Sequence, residues 1–273
     1  MKMDWEQKKH LHKVDYDIKP LSKELAIDFI QTHHYSPMMP KLTKHYLGCF
    51  LEGELVGVLT LGWGTQPRQT INKMFTGLES KHYWEIGKMC MTDEMPTNSE
   101  SQMISKAIKW IKENTPDVLF LYTMADGIMG KCGYVYQASN FLYGGQYFTQ
   151  VYEINGEKVH PRATRKLCEE NAKFSGKERV FWLTSDFMKE KGIKKIEGYM
   201  FRYIFPLNKK AKKLLKKSNM EWTRIYPKDH NLKWFDKTSK PKFEIEQPHF
   251  TYEEVLYNAR NISGGGASLR GIL

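Results

Sequence analysis

The sequence predicts a mixed α/β protein in which helices flank a sheet and a C-terminal extension follows. Short β-rich runs alternate with amphipathic helical stretches over most of the 273 residues. One run, Val118 to Met124, is almost wholly apolar, as a central strand covered on both faces would be. Apolar residues at 41% and charged residues at 27% suit one enlarged globular domain and exclude a disordered chain.

After a polar lead over residues 1–13, Val14 to Ile18 reads as a strand. Ser22 opens a helix reaching Gln31, with Leu25, Ala26, Phe29 and Ile30 on one face, and the helix runs into His33-His34-Tyr35-Ser36-Pro37. His45 to Leu51 and Leu55 to Gly62 form a hairpin across Glu52-Gly53-Glu54. Gln66 to Lys81 reads as a long loop with at most one helical turn, because Pro67 and Gly77 interrupt a polar stretch. Tyr83 to Met91 is the next strand. Pro96-Thr97-Asn98-Ser99 then caps a helix whose buried face is Met103, Ile104, Ala107, Ile108 and Ile111.

Beyond the central strand a second helix is expected from Asp126 to Asn140, then strands over Gln146 to Ile154 and Tyr199 to Phe205. A charged helical insert at about 162–195 separates those two strands. The domain so defined spans 14–217. The extension over 218–273 is aromatic and basic without clear period and ends in a flexible Gly264-Gly265-Gly266-Ala267 stretch.

A net charge of +11 raises a nucleic acid or another anionic surface as partner. Lys209, Lys210, Lys212 and Lys213 open a basic helix around Leu214 and Leu215 suited to a phosphate backbone, and Arg68 and Lys73 lie in the long loop where they could touch phosphates. The four cysteines, Cys49, Cys90, Cys132 and Cys168, lack metal-clamp or disulfide spacing. No apolar run approaches a membrane span and the N-terminus shows no secretory signal, so a cytoplasmic protein is expected.

Five local motifs follow one another: His34-Tyr35-Ser36, Glu85-Ile86-Gly87-Lys88-Met89-Cys90, Pro96-x-Asn98-x-Glu100-Ser101, Ala125-Asp126, and Gly130-x-x-Gly133-x-x-Tyr136-Gln137-Ala138-x-Asn140. Their order, over roughly Lys19 to Leu215, resembles the Mom family, and the order of elements is similar to the GNAT acyltransferase fold, in which a central strand splays from its neighbour. The resemblance implies a phage-encoded enzyme of the host cytoplasm. It would convert adenine N6 in double-stranded DNA to a carbamoylmethyl-type adduct, against host restriction, with the target base flipped out. Two other readings stay open: an acyltransferase acting on another amine, and a non-catalytic DNA-binding protein.

Adenine N6 is a poor nucleophile and needs a base. By family position Asp126 is the first candidate, with plain helix capping as its alternative. His34 and Tyr35 would position the adenine or relay its proton, or else cap a helix. Tyr136 would protonate the departing carrier, or else be a buried core aromatic. Trp63, Tyr83, Trp84 and Tyr143 are candidates for stacking on the flipped base. Cys90, Asn98, Ser99, Glu100, Ser101 and Asn140 would face the donor, with capping as the alternative for those at the helix start. The turn Asp93 to Glu100 lacks the glycines that usually hold a coenzyme A pyrophosphate and carries three carboxylates. The donor is therefore left between an acetyl-CoA-like thioester and a charged tRNA. The family association also brings in iron, for which His33, His34 and Asp126 are the candidate ligands.

Overall fold

The computed structural model describes residues 14–36, 39–64 and 67–251. The predicted polar lead and the glycine-rich end lie outside the described residues. In chain order the elements are β1 (Asp17–Pro20), α1 (Lys23–His33), β2 (Thr43–Leu51), β3 (Glu54–Gly62), α2 (Pro67–Met74), β4 (Tyr83–Met91), α3 (Ser99–Asn114), β5 (Phe120–Asp126), α4 (Tyr134–Ala138), β6 (Leu142–Ile154), β7 (Glu157–Val159), α5 (Arg165–Phe174), α6 (Ser185–Glu190), β8 (Lys194–Pro206), α7 (Lys209–Leu215), β9 (Trp234–Asp236) and β10 (Phe243–Ile245). They fall into two compact units. The first takes in the chain through Met124 with Gly133–Gly145 and Arg202–Tyr226. The second takes in Ala125–Cys132, Gln146–Phe201 and the chain from Pro227.

In the first unit β1, β2, β3 and β4 are successive antiparallel neighbours. Glu52 and Gly53 both adopt positive φ at the β2–β3 turn, the geometry of a tight hairpin. Between β3 and β4 the register slips: Leu59 faces Met89 but Leu61 faces Ile86, so Gly87 and Lys88 form a bulge opposite Thr60. Thr60 Oγ1 accepts the Lys88 N–H at 2.8 Å, so the bulge is held by a bond. β4 then pairs in parallel with β5, but only over Tyr83–Glu85 against Phe120–Tyr122. Beyond Glu85 the two strands part, as the expected splay requires.

Helix α1 starts where Ser22 Oγ accepts from the Leu25 N–H, and it buries Ala26, Phe29 and Ile30. Leu25, expected on that face, is 56% exposed, because one more residue on that side falls outside the buried stripe. All five expected apolar residues of α3 are buried. The expected loop after β3 instead forms α2 over two turns, since Ile71, Met74 and Phe75 recur at helical spacing and are buried. The expected helix from Asp126 to Asn140 is broken. Gly130 and Gly133 take positive φ, leaving a 3₁₀ turn (Gly127–Met129) and the five-residue α4.

In the second unit β6 and β7 form a hairpin across Asn155-Gly156, and β8 pairs with β9, which pairs with β10. The predicted insert resolves into α5 and α6, whose apolar faces pack with Tyr152, Ile154, Val159 and Ile193. β8 begins five residues earlier than expected, at Lys194. The three-residue strands β9 and β10 were not legible in the tail. No helix among the described residues is long and apolar enough to cross a membrane.

Candidate active site

The point where β4 and β5 part carries Glu85, a carboxylate of the Glu85–Cys90 motif to which the sequence alone assigns no role. Glu85 is the last β4 residue paired to β5. Burial pushes its carboxyl up to about 7, partly offset by the Gly64 N–H bonded to it. A Cβ at 64 would overlap the Glu85 carboxylate, so any larger residue there would displace it. One strand over, Thr123 of β5 donates to the Ile86 carbonyl at 3.5 Å and shares a hydrogen bond with the Tyr136 hydroxyl. Burial above all raises the Tyr136 phenol, the Thr123 bond lowers it, and the charge of Glu85 raises it further, so it is a neutral proton donor. Its ring packs on Tyr203 and Phe141 at centroid distances of 5.5 and 5.6 Å.

On the far side of the bulge lies the His34-Tyr35-Ser36 turn. The His34 and Tyr35 rings stack at 4.2 Å, and the Ser36 N–H donates to His34 Nδ1 at 3.0 Å. Lys88 Nζ donates to the Ser36 carbonyl at 3.0 Å. Three of the sequence motifs thus meet within the first unit: the His34 turn, the Glu85–Cys90 strand and Tyr136. Cys90 itself faces the core formed with Ala26, Phe29, Ile30 and Val58. Burial pushes its thiol up to about 12, making it a packing residue where a donor contact was expected.

Of the expected donor contacts, Ser101 and Asn140 line one groove of about 430 Å³, together with Ser105, Ile108, Lys109 and Lys112 of α3, the end of α4, and Phe205. Asn140 adopts left-handed backbone there. Ser99 is buried; its hydroxyl donates to the Pro96 carbonyl at 2.6 Å and shares a bond with Tyr16 at 2.7 Å, which fastens the helix start. Asn98 is left-handed, makes no side-chain capping bond, and accepts at its carbonyl from Ser101 Oγ at 2.8 Å. Glu100 is exposed in the first turn. Lys109 and Lys112 were overlooked, although as cations three apart on one helix they share a face.

Asp126 belongs to the second unit, whereas His34, Tyr35 and Tyr136 belong to the first. Asp126 accepts from the Ile128 N–H at 3.1 Å and forms an ion pair with Lys158. Among the described residues no three or more His, Cys, Asp or Glu side chains gather as a metal-binding group. The side chains present therefore do not fit the iron that the resemblance implies. Of the stacking candidates, Tyr83 and Trp84 are buried, while Trp63 is partly exposed beneath Lys44, 5.4 Å from its ring.

Arg68 and Lys73 are exposed on α2. In α7, Asn208 caps the N-terminus and Ala211 is buried, so Lys209, Lys210, Lys212 and Lys213 are turned to solvent. Lys209, Lys210, Lys213 and Lys217 border a shallow groove of about 300 Å³. Cations in the first turn oppose the helix dipole, so this arrangement is not explained by helix stability.

The parted parallel strands, the β4 bulge and the groove beside α3 define a mixed α/β protein with the splayed sheet expected of a GNAT-like acyltransferase fold. The chain belongs to the Mom protein family, whose model matches residues 15–228. It is 35% identical over 212 residues to the methylcarbamoylase Mom of Escherichia phage Mu, covering 77% of this chain and 83% of that one. Among solved structures it is similar to an N-acetyltransferase from Staphylococcus aureus Mu50, at 15% identity and a TM-score of 0.37 over 71% of this chain and 99% of that chain. Another is the Escherichia coli acetyltransferase YhbS in complex with CoA, at 10% identity and a TM-score of 0.34 over 47% of this chain and 69% of that chain.

Proposed function

We propose that this protein is a phage DNA-modification enzyme of the host cytoplasm that transfers a carbamoylmethyl-type group to the N6 amine of adenine in DNA, with Glu85 accepting the amine proton. The observation that carries the reading is the pairing of two groups of suitable proton affinity where β4 and β5 part: a carboxyl raised to about 7 and a neutral phenol. Membership of a family that includes a methylcarbamoylase supports the substrate class.

The step balances as follows. The N6 lone pair forms a bond to the donor's reactive carbon, and the bond from that carbon to its carrier breaks. The N6 proton passes to Glu85. The carrier leaves with the bonding pair and takes its proton from Tyr136. A base near neutrality combines correct protonation at working pH with enough driving force, and Tyr136 stays protonated throughout that range. Lys88 and the His34–Tyr35 stack border this strand and position the adenine. The donor lies in the groove beside α3, with Ser101 and Asn140 on its polar part and Lys109 and Lys112 on its phosphates; this favours a phosphate-bearing carrier of the coenzyme A kind, joined to the methylene carbon that N6 attacks, because attack on a thioester carbonyl would leave an amide on N6. Exposed cations on α2 and α7 hold the DNA phosphates.

Asp126 stands as the second candidate base because the Ala125-Asp126 motif favours it, but its carboxylate is already engaged by Lys158 and the Ile128 N–H. The deciding experiment expresses wild type, Glu85→Gln and Asp126→Asn in a bacterial host and weighs the nucleosides of digested plasmid DNA. A heavier deoxyadenosine derivative is expected from wild type and its absence from Glu85→Gln. Loss only in Asp126→Asn would transfer the role to Asp126. Unmodified DNA from folded wild type, with retained duplex binding, would favour the non-catalytic alternative.

A further inference from the structure

The second unit spends buried hydrogen bonds on a loop that turns two aromatic rings outward. Between α5 and α6, Val180 and Leu183 are 5% and 3% exposed and sit in the core, whereas Phe181 and Trp182 between them are 70% and 56% exposed. The presentation is held in place. Asn171 of α5 is fully buried and donates through Nδ2 to the Trp182 carbonyl at 2.8 Å. Its Oδ1 accepts from Thr184 Oγ1 at 2.8 Å and from Ser175 Oγ at 3.2 Å, so one side chain ties both ends of the loop. Gly176 takes positive φ where the chain leaves α5, and the Lys177 N–H returns to the Ala172 carbonyl at 2.9 Å.

Large apolar rings fixed on the outside forgo burial, and that arrangement marks a contact surface. Its surroundings select the partner. The Arg179 guanidinium lies 4.5 Å from the Phe181 ring centre, and Lys173 and Lys177 are exposed on the same loop region, with Glu178 the acidic residue among them. Flat rings with cations beside them suit nucleic acid, whose bases stack on aromatic faces while phosphates meet the cations.

We infer that Phe181 and Trp182 form a base-stacking element that enters duplex DNA, with Arg179 and Lys177 against the flanking phosphates. The inference rests on the DNA reading above and adds a contact by which an unpaired stack would be held open. It needs no contribution from α7 or α2.

The test measures binding of a labelled duplex containing adenine by the full chain at several salt concentrations. Phe181→Ala with Trp182→Ala together should weaken binding roughly tenfold to a hundredfold, the range for lost base–aromatic stacking, with the salt slope unchanged. Trp182→Phe should recover most of the loss. Arg179→Ala should instead lower the slope by about one phosphate. Since both rings are exposed, thermal unfolding of the double variant should match wild type. Duplex affinity within twofold of wild type in the double variant would overturn the inference while leaving the DNA reading intact. Wild type that binds no duplex would sink both. A wild-type dimer converted to monomer by the double variant, with affinity unchanged, would assign the surface to a second copy and also overturn it.

Discussion

Glu85 in the first unit and Glu197 in the second are both withdrawn from water, yet their proton affinities move in opposite directions. At Glu85 burial acts against a single backbone N–H, and the carboxyl rises to about 7. At Glu197, 3% exposed, burial also raises the carboxyl. Hydrogen bonds from Lys237, Lys242 and Gln150 and the charge of Lys237 outweigh it, so the net shift is downward. Lys242 also lies over the Phe148 and Phe235 rings at 4.6 and 4.3 Å, which extends the clasp between β8 and its neighbours. Desolvation that outweighs its one hydrogen bond raises a carboxyl's proton affinity, as a base near neutrality requires; desolvation with cations in contact keeps it an anion. On the proposed reading the two units therefore use the same side-chain chemistry for different ends.

The largest expected effect separates these ends. Glu85→Gln should lower the modification rate by ~10²–10⁴-fold, the range for a positioned general base, without destabilising the fold. The sign follows from linkage. A carboxyl whose folded value lies above its unfolded value favours folding below the unfolded value, and that contribution is lost as pH rises through about 7. From about 4.5 to about 7 the loss is roughly 3 kcal/mol at 1.36 kcal/mol per pKa unit. The glutamine variant should therefore gain thermal stability over wild type at pH 8 while losing activity. Wild-type activity should rise with pH through about 7 and then level off. An inactive variant that also melts lower at pH 8 would mean Glu85 is structural.

The converse substitution, Glu197→Gln, should leave the rate constant nearly unchanged and cost about 2 kcal/mol of stability, because Lys237 and Lys242 lose their shared partner. That figure is kept low because both lysines remain over a third exposed. With a folded carboxyl below its unfolded value, this contribution is present above about 4.5 and lost as pH falls. Denaturant midpoints at pH 4 and pH 7 should thus differ less in the variant than in wild type. A variant that folds as wild type but stops modifying DNA would end the division of labour between the two carboxylates.

The sequence disclosed most of this fold where period and punctuation agreed. The stripe of α3, the hairpin at Glu52-Gly53 and the apolar strand through Phe120 are all local patterns. It failed where a contact outside the segment decides the outcome. Gly130 and Gly133 break the expected helix after Asp126, and β9 and β10 form only by pairing to β8. Of the proposed site, motif order named His34, Tyr35 and Tyr136, and Glu85 lies within the Glu85–Cys90 motif without a sequence signal for its role. The role proposed for it was hidden because its raised proton affinity comes from burial where two strands part, which has no sequence period.

Gly64→Ala sharpens the account of Glu85 more finely than its removal does. The added methyl would overlap the carboxylate and push it off the Gly64 N–H. Losing that bond should cost about 1–2 kcal/mol at the carboxylate and move the activity midpoint to a pH above 7, with the maximal rate reduced roughly tenfold. An unchanged pH midpoint would show that burial alone sets it.

The smallest effect concerns lysines, which the two units also use differently. Lys237 and Lys242 are committed to Glu197, whereas Lys109 and Lys112 line the groove beside α3 and Lys109 has only an exposed partner, Glu113 at 4.0 Å. An exposed cation meeting a phosphate contributes about 0.5–1 kcal/mol. Lys109→Ala with Lys112→Ala should therefore raise the KM for a phosphate-bearing donor about five- to thirtyfold, leave kcat within twofold, and lose its effect above about 0.5 M salt. If kcat falls while KM holds, the groove does not carry the donor's phosphates, and the donor's carrier would have to be held elsewhere in the molecule.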